Sequence, residues 1–312
     1  MSTPIIRVRD MAFPRFQVPD LDQMEAFLTA FGMQRSTRTA DALYMRGSDG
    51  QHHVHVSHLG PAAFVGLSFW ATSHDDLETL ARGTRTRVEP TNEPGGGAVV
   101  HLRDPDGRRI DVVHGLAELE TLPLRSHPAL NTGVERPRIG TLQRVASGPA
   151  QVKRCGHAAI KTTDLATLSR WYGETLGMLV SDDIYMEGPD KPMGRFVRCD
   201  RGSEPADHHT LLLLETPEVK LGHVAYEVAD FDDLMVGHDH LQANGHGGRP
   251  YWGIGRHILG GQIFDYWKDP FGFTIEHWTD SDLLRADTAP GAHHILNALS
   301  QWGPMPPPDL DF

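Results

Sequence analysis

The sequence predicts an α+β protein of two similar domains, each built from two βαβββ modules curled around a cavity. Three echoes within the chain carry this prediction, and a repeat constrains every local assignment that follows. Arg103-Asp104-Pro105-Asp106-Gly107-Arg108-Arg109-Ile110-Asp111 recurs as Lys268-Asp269-Pro270-Phe271-Gly272-Phe273-Thr274-Ile275-Glu276. Pro19-Asp20-Leu21 opens an apolar-periodic run that stops at Phe31-Gly32-Met33, and Thr163-Asp164-Leu165 opens one that stops at Leu176-Gly177-Met178. Asp75-Asp76-Leu77 is matched by Asp232-Asp233-Leu234.

Each echo has a local physical meaning. In Asp-Pro-X-Gly, proline presets φ and glycine supplies the permissive position, so one strand turns back into another. The runs after Asp20 and Asp164 are helices: an acidic N-cap, apolar residues at helical spacing (Leu165, Leu168, Trp171 or Tyr172, Leu176), then glycine at the stop. The Asp-Asp-Leu pair follows a short strand and starts a second helix in each domain. In the second domain, strands are expected near 155–161, 193–198 and 210–215. The pattern then restarts with strand 223–228, helix 231–244, strand 261–267 and strand 273–278. These bounds give a first domain at 1–120, a linker at 121–150 containing Pro123, Pro128, Pro137 and Gly140, and a second domain at 151–285. Residues 286–312 read as a C-terminal tail, since the Pro-rich stretch from Gly303 to Asp309 can be neither helix nor central strand. Such a tail is either disordered or an arm on a neighbouring subunit.

Composition narrows the function. A formal net charge of −12 with no basic stripe argues against nucleic acid or an anionic membrane as partner. Two cysteines, Cys155 and Cys199, are too few for a disulfide framework and suit a reducing compartment. The N-terminus has no apolar signal-like region, and no run approaches the roughly 18 apolar residues of a membrane span. A cytoplasmic protein is the expectation.

Three residues far apart in sequence occupy corresponding strand positions: His157 and His223 on the first strands of the two modules, and Glu276 on the last strand of the second. Two imidazoles and one carboxylate leave half of an iron's coordination sphere open for substrate and O2. His277 is an alternative to Glu276, but strand alternation allows only one of the two to point inward. The first domain places Phe13, Gly66 and Asp111 at the corresponding positions, and neither Phe nor Gly can ligate a metal. A second cluster, His52, His53, His55 and His58, reads as an ordinary half-buried strand with Val54 and Val56 on one face and His53 and His55 on the other.

Gly156-His157, Leu221-Gly222-His223-Val224, Gly255-Arg256-His257 followed nine residues on by Tyr266, and Asp269-Pro270-Phe271-Gly272 leading to Ile275-Glu276 together resemble a type I extradiol ring-cleavage dioxygenase. That family belongs to the vicinal oxygen chelate superfamily, and the likeness covers nearly the whole chain. It implies two vicinal-oxygen-chelate domains, the first without metal. It also implies Fe(II), with Mn(II) possible, on His157, His223 and Glu276, a catecholic substrate cleaved with O2, and a homo-oligomer. By the same resemblance His209, rather than its neighbour His208, is the acid–base residue, and His257 with Tyr266 binds the substrate's hydroxyl oxygens. Histidine suits the first role because its pKa lies near neutrality. Pocket residues around Ala159, Trp252 and Ile254 are expected to choose the diol. Two other readings compete: a 2-oxo-acid-dependent oxygenase of the same superfamily, like 4-hydroxyphenylpyruvate dioxygenase, and a non-catalytic small-molecule binding protein.

Overall fold

A computed structural model describes residues 3–125, 128–245 and 251–307. Pro308 and Asp309 of the expected tail lie outside the described residues, as do Met1 and Ser2. The chain forms two large mixed sheets, each from two βαβββ modules in tandem. The first holds β1 (Asp10–Val18), α1 (Leu21–Ala30), β2 (Gln34–Arg38), β3 (Ala42–Arg46) and β4 (His55–Leu59). Its second module is β5 (Ala63–Trp70), α2 (His74–Thr84), β6 (Val88–Pro90), β7 (Ala98–Arg103) and β8 (Arg109–His114). Their order, β2-β3-β4-β1-β5-β8-β7-β6, joins the modules through the antiparallel pair β1–β5.

The second sheet repeats this plan with β9 (Val152–Thr162), α3 (Leu165–Leu176), β10 (Met178–Tyr185), β11 (Pro192–Cys199), β12 (Ala206–Asp207) and β13 (Leu211–Glu215). The next module is β14 (Lys220–Val228), α4 (Phe231–Asn244), β15 (Gly253–His257), β16 (Ile263–Lys268) and β17 (Thr274–Thr279). Three short strands end the chain: β18 (Leu283–Leu284), β19 (Gly291–His294) and β20 (Ser300–Trp302). The ten-stranded order is β19-β10-β11-β13-β9-β14-β17-β16-β15-β20, while β12 pairs with β18. Within the expected tail, residues 291–302 instead hold strands: β19 extends the sheet beyond β10 and β20 extends it beyond β15. Sequence comparison misses them because they lie outside the repeated βαβββ pattern, and each strand is too short to show a period.

Local chemistry sets the element ends as expected. Asp20 and Asp164 accept backbone N–H bonds at the starts of α1 and α3, and Gly177 ends α3 in the left-handed region at φ 73°. Both Asp-Pro-X-Gly turns close through the glycine N–H to the aspartate carbonyl, at 2.9 Å for Gly107–Asp104 and 3.1 Å for Gly272–Asp269. The aspartate carboxylates complete them: Asp269 Oδ1 accepts from the Phe271 and Phe273 N–H groups at 2.8 and 2.9 Å. The turn thereby fixes the register of β16 on β17, and with it the position of Glu276.

One apolar core joins the helix-bearing faces of both sheets, with Phe27, Phe31, Leu77, Leu168, Tyr172 and Leu241 among its members. The opposite face of the first sheet is filled by Phe13, Tyr44, Val56, Val99 and Val113. The corresponding face of the second sheet keeps a cavity. The histidine cluster of the first domain departs from the expected alternating strand. Val54 and Val56 belong to different cores, and His53 and His55 are both fully buried. The irregular residues before β4 break the alternation, and both faces of this strand are covered. His55 bonds to the Tyr226 hydroxyl at 2.7 Å, tying the two sheets together.

Candidate metal centre

His157, His223 and Glu276 stand on three neighbouring strands, β9, β14 and β17. Ala225 is paired with both His157 and Glu276, and His223 sits two residues earlier on the same strand, so the three side chains emerge on one face. One ligand atom from each lies within 4.8 Å of the others. Glu276 Oε2 is 3.3 Å from His157 Nε2 and 3.2 Å from His223 Nε2. His277 points the other way: its Nε2–H donates to the Phe31 carbonyl at 2.7 Å and its ring stacks on Phe31.

The donor set fits a divalent cation. Both oxygens of Glu276 and Nε2 of His223 are buried without a well-formed hydrogen bond, an arrangement costly for a carboxylate unless a positive charge completes it. Burial pushes the His157 and His223 imidazoles down to about 3, so both are neutral and present lone pairs. Burial also raises the Glu276 carboxyl, an effect partly offset by His223, His257 and Tyr266. Two nitrogens and one oxygen suit Fe(II) or Mn(II). Among the described residues this is the one group of three or more ligating side chains so arranged.

The first domain shows how the same position is closed. Phe13 pairs with Ser68 and Ser68 with Asp111, the register that His157, Ala225 and Glu276 follow in the second domain. A side chain at Gly66 would place its Cβ 1.8 Å from the Arg109 carbonyl oxygen, so no ligand can stand there. Asp111 is fully buried, yet it accepts from Arg15 Nε at 2.8 Å, Arg109 Nε at 2.9 Å and His101 Nδ1 at 2.6 Å. Arg15 is the counterpart of Ala159, two residues beyond Phe13 and His157 respectively. Its guanidinium supplies the positive charge that a metal would supply in the other copy.

A cavity of about 280 Å³ opens beside the ligand trio. His209, His257 and Tyr266 line it together with Phe196, Leu212, Leu259 and Trp252. The His209 ring packs 4.4 Å from that of His157, whereas His208 turns away to Asp182. Burial, reinforced by His157 and His208, holds His209 well below the ordinary imidazole range. His257 is the last residue of β15, and its two nitrogens are both engaged. Nδ1–H donates to the Leu299 carbonyl at 3.2 Å, which leaves Nε2 to accept from the Tyr266 hydroxyl at 3.1 Å. Tyr266 pairs with Glu276 across β16 and β17, and its ring meets His223 edge-on. Burial keeps its hydroxyl protonated.

Ala159 and Trp252 line the cavity as expected, but Ile254 packs against the apolar core. Sequence reading also missed the C-terminal segment, which contributes Ile295, Ala298 and Leu299 to the wall, and three lining lysines, Lys161, Lys220 and Lys268. A usable signal lay in the repeated doublets His52-His53 and His208-His209. In both, the two Nδ1 atoms meet, at 3.0 and 3.1 Å, and the second ring packs on the residue at the first ligand position, Phe13 or His157.

Residues 154–277, which carry all three ligands, match the family described as Glyoxalase/Bleomycin resistance protein/Dioxygenase superfamily. They form a domain of this superfamily. The chain is similar to metapyrocatechase 2 of Cupriavidus necator, with 29% identity across 93% of this chain and 88% of the relative. A manganese-dependent 2,3-dihydroxybiphenyl 1,2-dioxygenase of Geobacillus genomosp. 3 is 25% identical across 89% and 88% of the two chains. An iron-dependent extradiol dioxygenase of Rhodococcus jostii is 22% identical across 95% and 96%. Among solved structures, an extradiol ring-cleaving dioxygenase from B. fuscum shares the fold with a TM-score of 0.81, 21% identity, and coverage of 99% and 83%. A Mn(II)-bound glyoxalase from Novosphingobium aromaticivorans superposes with a TM-score of 0.79 at 23% identity, covering 97% and 94%. The superfamily domain therefore sits in a chain whose similarity to these relatives extends along most of the length of each.

Proposed function

We propose that this protein is an extradiol dioxygenase, which opens a catecholic ring with O2 and places both oxygen atoms in the ring-opened product. The observation that carries the reading is the joint placement of His157, His223 and Glu276 against His209, His257 and Tyr266 around one cavity. His157, His223 and Glu276 would hold Fe(II), with Mn(II) as the alternative. Such a metal would supply Lewis acidity that lowers the cost of deprotonating the diol, and a redox-capable centre beside it.

The protein's own groups do the rest. Tyr266 can turn its hydroxyl from His257 Nε2 to a substrate oxygen, and the freed Nε2 can accept a proton from the diol. His209, on the His157 side, is placed to move the proton that accompanies cleavage of the O–O bond. Apolar walls from Phe196, Leu212, Leu259 and Trp252 exclude water and leave a slot for a flat ring. Lys161 and Lys220 are paired across β9 and β14, and Lys161 lies four strand residues beyond His157, roughly 13 Å away.

The 2-oxo-acid reading has no use for three proton-handling groups around the trio, and a binding protein has no use for the trio. Anaerobic loading with Fe(II), then a panel of neutral and carboxylated catechols with O2, should give a strongly yellow semialdehyde. Absence of a yellow product across the panel, together with decarboxylation of a 2-oxo acid, would reverse the assignment. Among the described residues no helix is long and apolar enough to cross a membrane. Two buried thiols, Cys155 and Cys199, support a cytoplasmic setting. The homo-oligomer implied by the resemblance is checked by light scattering.

A further inference from the structure

A second polar chain runs away from His209, outside the ligand set. His209 Nδ1 meets His208 Nδ1 at 3.1 Å, and His208 Nε2 meets Asp182 Oδ2 at 2.7 Å. The other oxygen of Asp182 accepts from the Gly291 N–H at 3.0 Å and faces His293 Nε2 at 3.1 Å. Both doublet histidines are buried. Asp182 follows a register shift in β10, and His293 lies on β19, so the C-terminal segment closes the outer end of the chain.

Donor and acceptor rules then fix the protons. A carboxylate only accepts, so His208 carries its hydrogen on Nε2. With a single ring hydrogen, His208 has a bare Nδ1, and the 3.1 Å contact requires His209 to donate from its own Nδ1. The nitrogen left to His209 is Nε2, without a hydrogen, on the ring that lines the cavity. The first domain is a built-in contrast. His52 and His53 make the same Nδ1–Nδ1 contact, but the outer partner of His52 is the Ser36 hydroxyl, which can donate or accept and imposes no direction. The directing carboxylate stands in the copy that carries the metal ligands.

We propose that Asp182 and His208 are positioning residues that hold His209 in its Nδ1–H tautomer, so that Nε2 meets the substrate as a proton acceptor and only afterwards as a donor. This rests on the reading of His209 as the acid–base group. Asp182→Asn tests it, because an amide N–H facing His208 Nε2 reverses the chain and places the hydrogen of His209 on Nε2. The expected result is unchanged iron content, a KM within about threefold, and a kcat lower by about 100-fold or more, the scale of a lost general acid–base contribution. Long-range proton–nitrogen NMR of the histidine-labelled, metal-free full-length chain should show His209 changing tautomer. Asp182→Glu should restore much of kcat.

Should Asp182→Asn fail to fold, His208→Gln uncouples His209 from the carboxylate and must lose kcat alike. A kcat within threefold of wild type in a folded variant, or a His209 tautomer that does not change, overturns the proposal. So does an equal loss in His293→Ala, since that variant leaves the Asp182–His208 bond in place. His209→Asn separates the two levels: full turnover there removes the acid–base reading itself, while the tautomer measurement still decides what Asp182 does.

Discussion

Glu276→Gln should make the metal-free protein more stable and the metal-loaded protein less so. The wild-type carboxylate is fully buried with no well-formed hydrogen bond to either oxygen. Burying an ion costs several kcal/mol after relaxation. An amide costs about 1–3 kcal/mol when unpaired, and here its N–H group could donate to the neutral imidazole nitrogens 3.2 and 3.3 Å from Oε2. The difference leaves Glu276→Gln ahead by about 1–3 kcal/mol without metal, a rise of several degrees in melting temperature at roughly 2–4 °C per kcal/mol. Adding Fe(II) at about 1,000 times its dissociation constant stabilises wild type by about 4.1 kcal/mol. The variant, having lost the anionic ligand, gains little, so the order of the two proteins reverses. Anaerobic scanning calorimetry with chelator and with Fe(II), paired with metal analysis, reads both halves. A metal-free variant melting below wild type, or an Fe(II)-induced shift that survives the substitution, would refute the view that this carboxylate awaits a cation.

Three further outcomes follow from named contacts. His55 is buried between the sheets and pushed down to about 3 by burial. Its contribution is complete above pH 6.5 and lost as pH falls from 6.5 toward 3, on the order of 5 kcal/mol at most; His55→Gln should flatten the acid limb of a stability–pH curve. Arg15→Met leaves Asp111 with fewer cations in a dry site and should cost about 3–5 kcal/mol in urea unfolding, with iron content unchanged. Ending the chain at residue 288 removes Leu299, whose carbonyl fixes His257, and the wall residues Ile295 and Ala298. Iron should still bind, while kcat/KM falls by about tenfold or more through lost positioning.

The repeated Asp-Pro-X-Gly turns, the capped helices and the alternation at Glu276 and His277 were legible in sequence because each depends on residues close along the chain. The internal repeat extended that reach, placing Phe13, Gly66 and Asp111 against His157, His223 and Glu276 by register alone. Sequence therefore determined the βαβββ plan, the asymmetry between the two copies and the identity of the candidate ligands. Tertiary structure decided the rest: that Arg15 caps the buried Asp111 at the position matching Glu276, that His209 and not His208 faces His157, that Asp182 stands behind His208, and that Leu299 and the lysines line the cavity. These contacts join strands far apart in the chain, and β19 and β20 add edges outside the repeat. Periodicity reports which face a side chain takes, but which partner waits on that face is set only when the sheets curl and close.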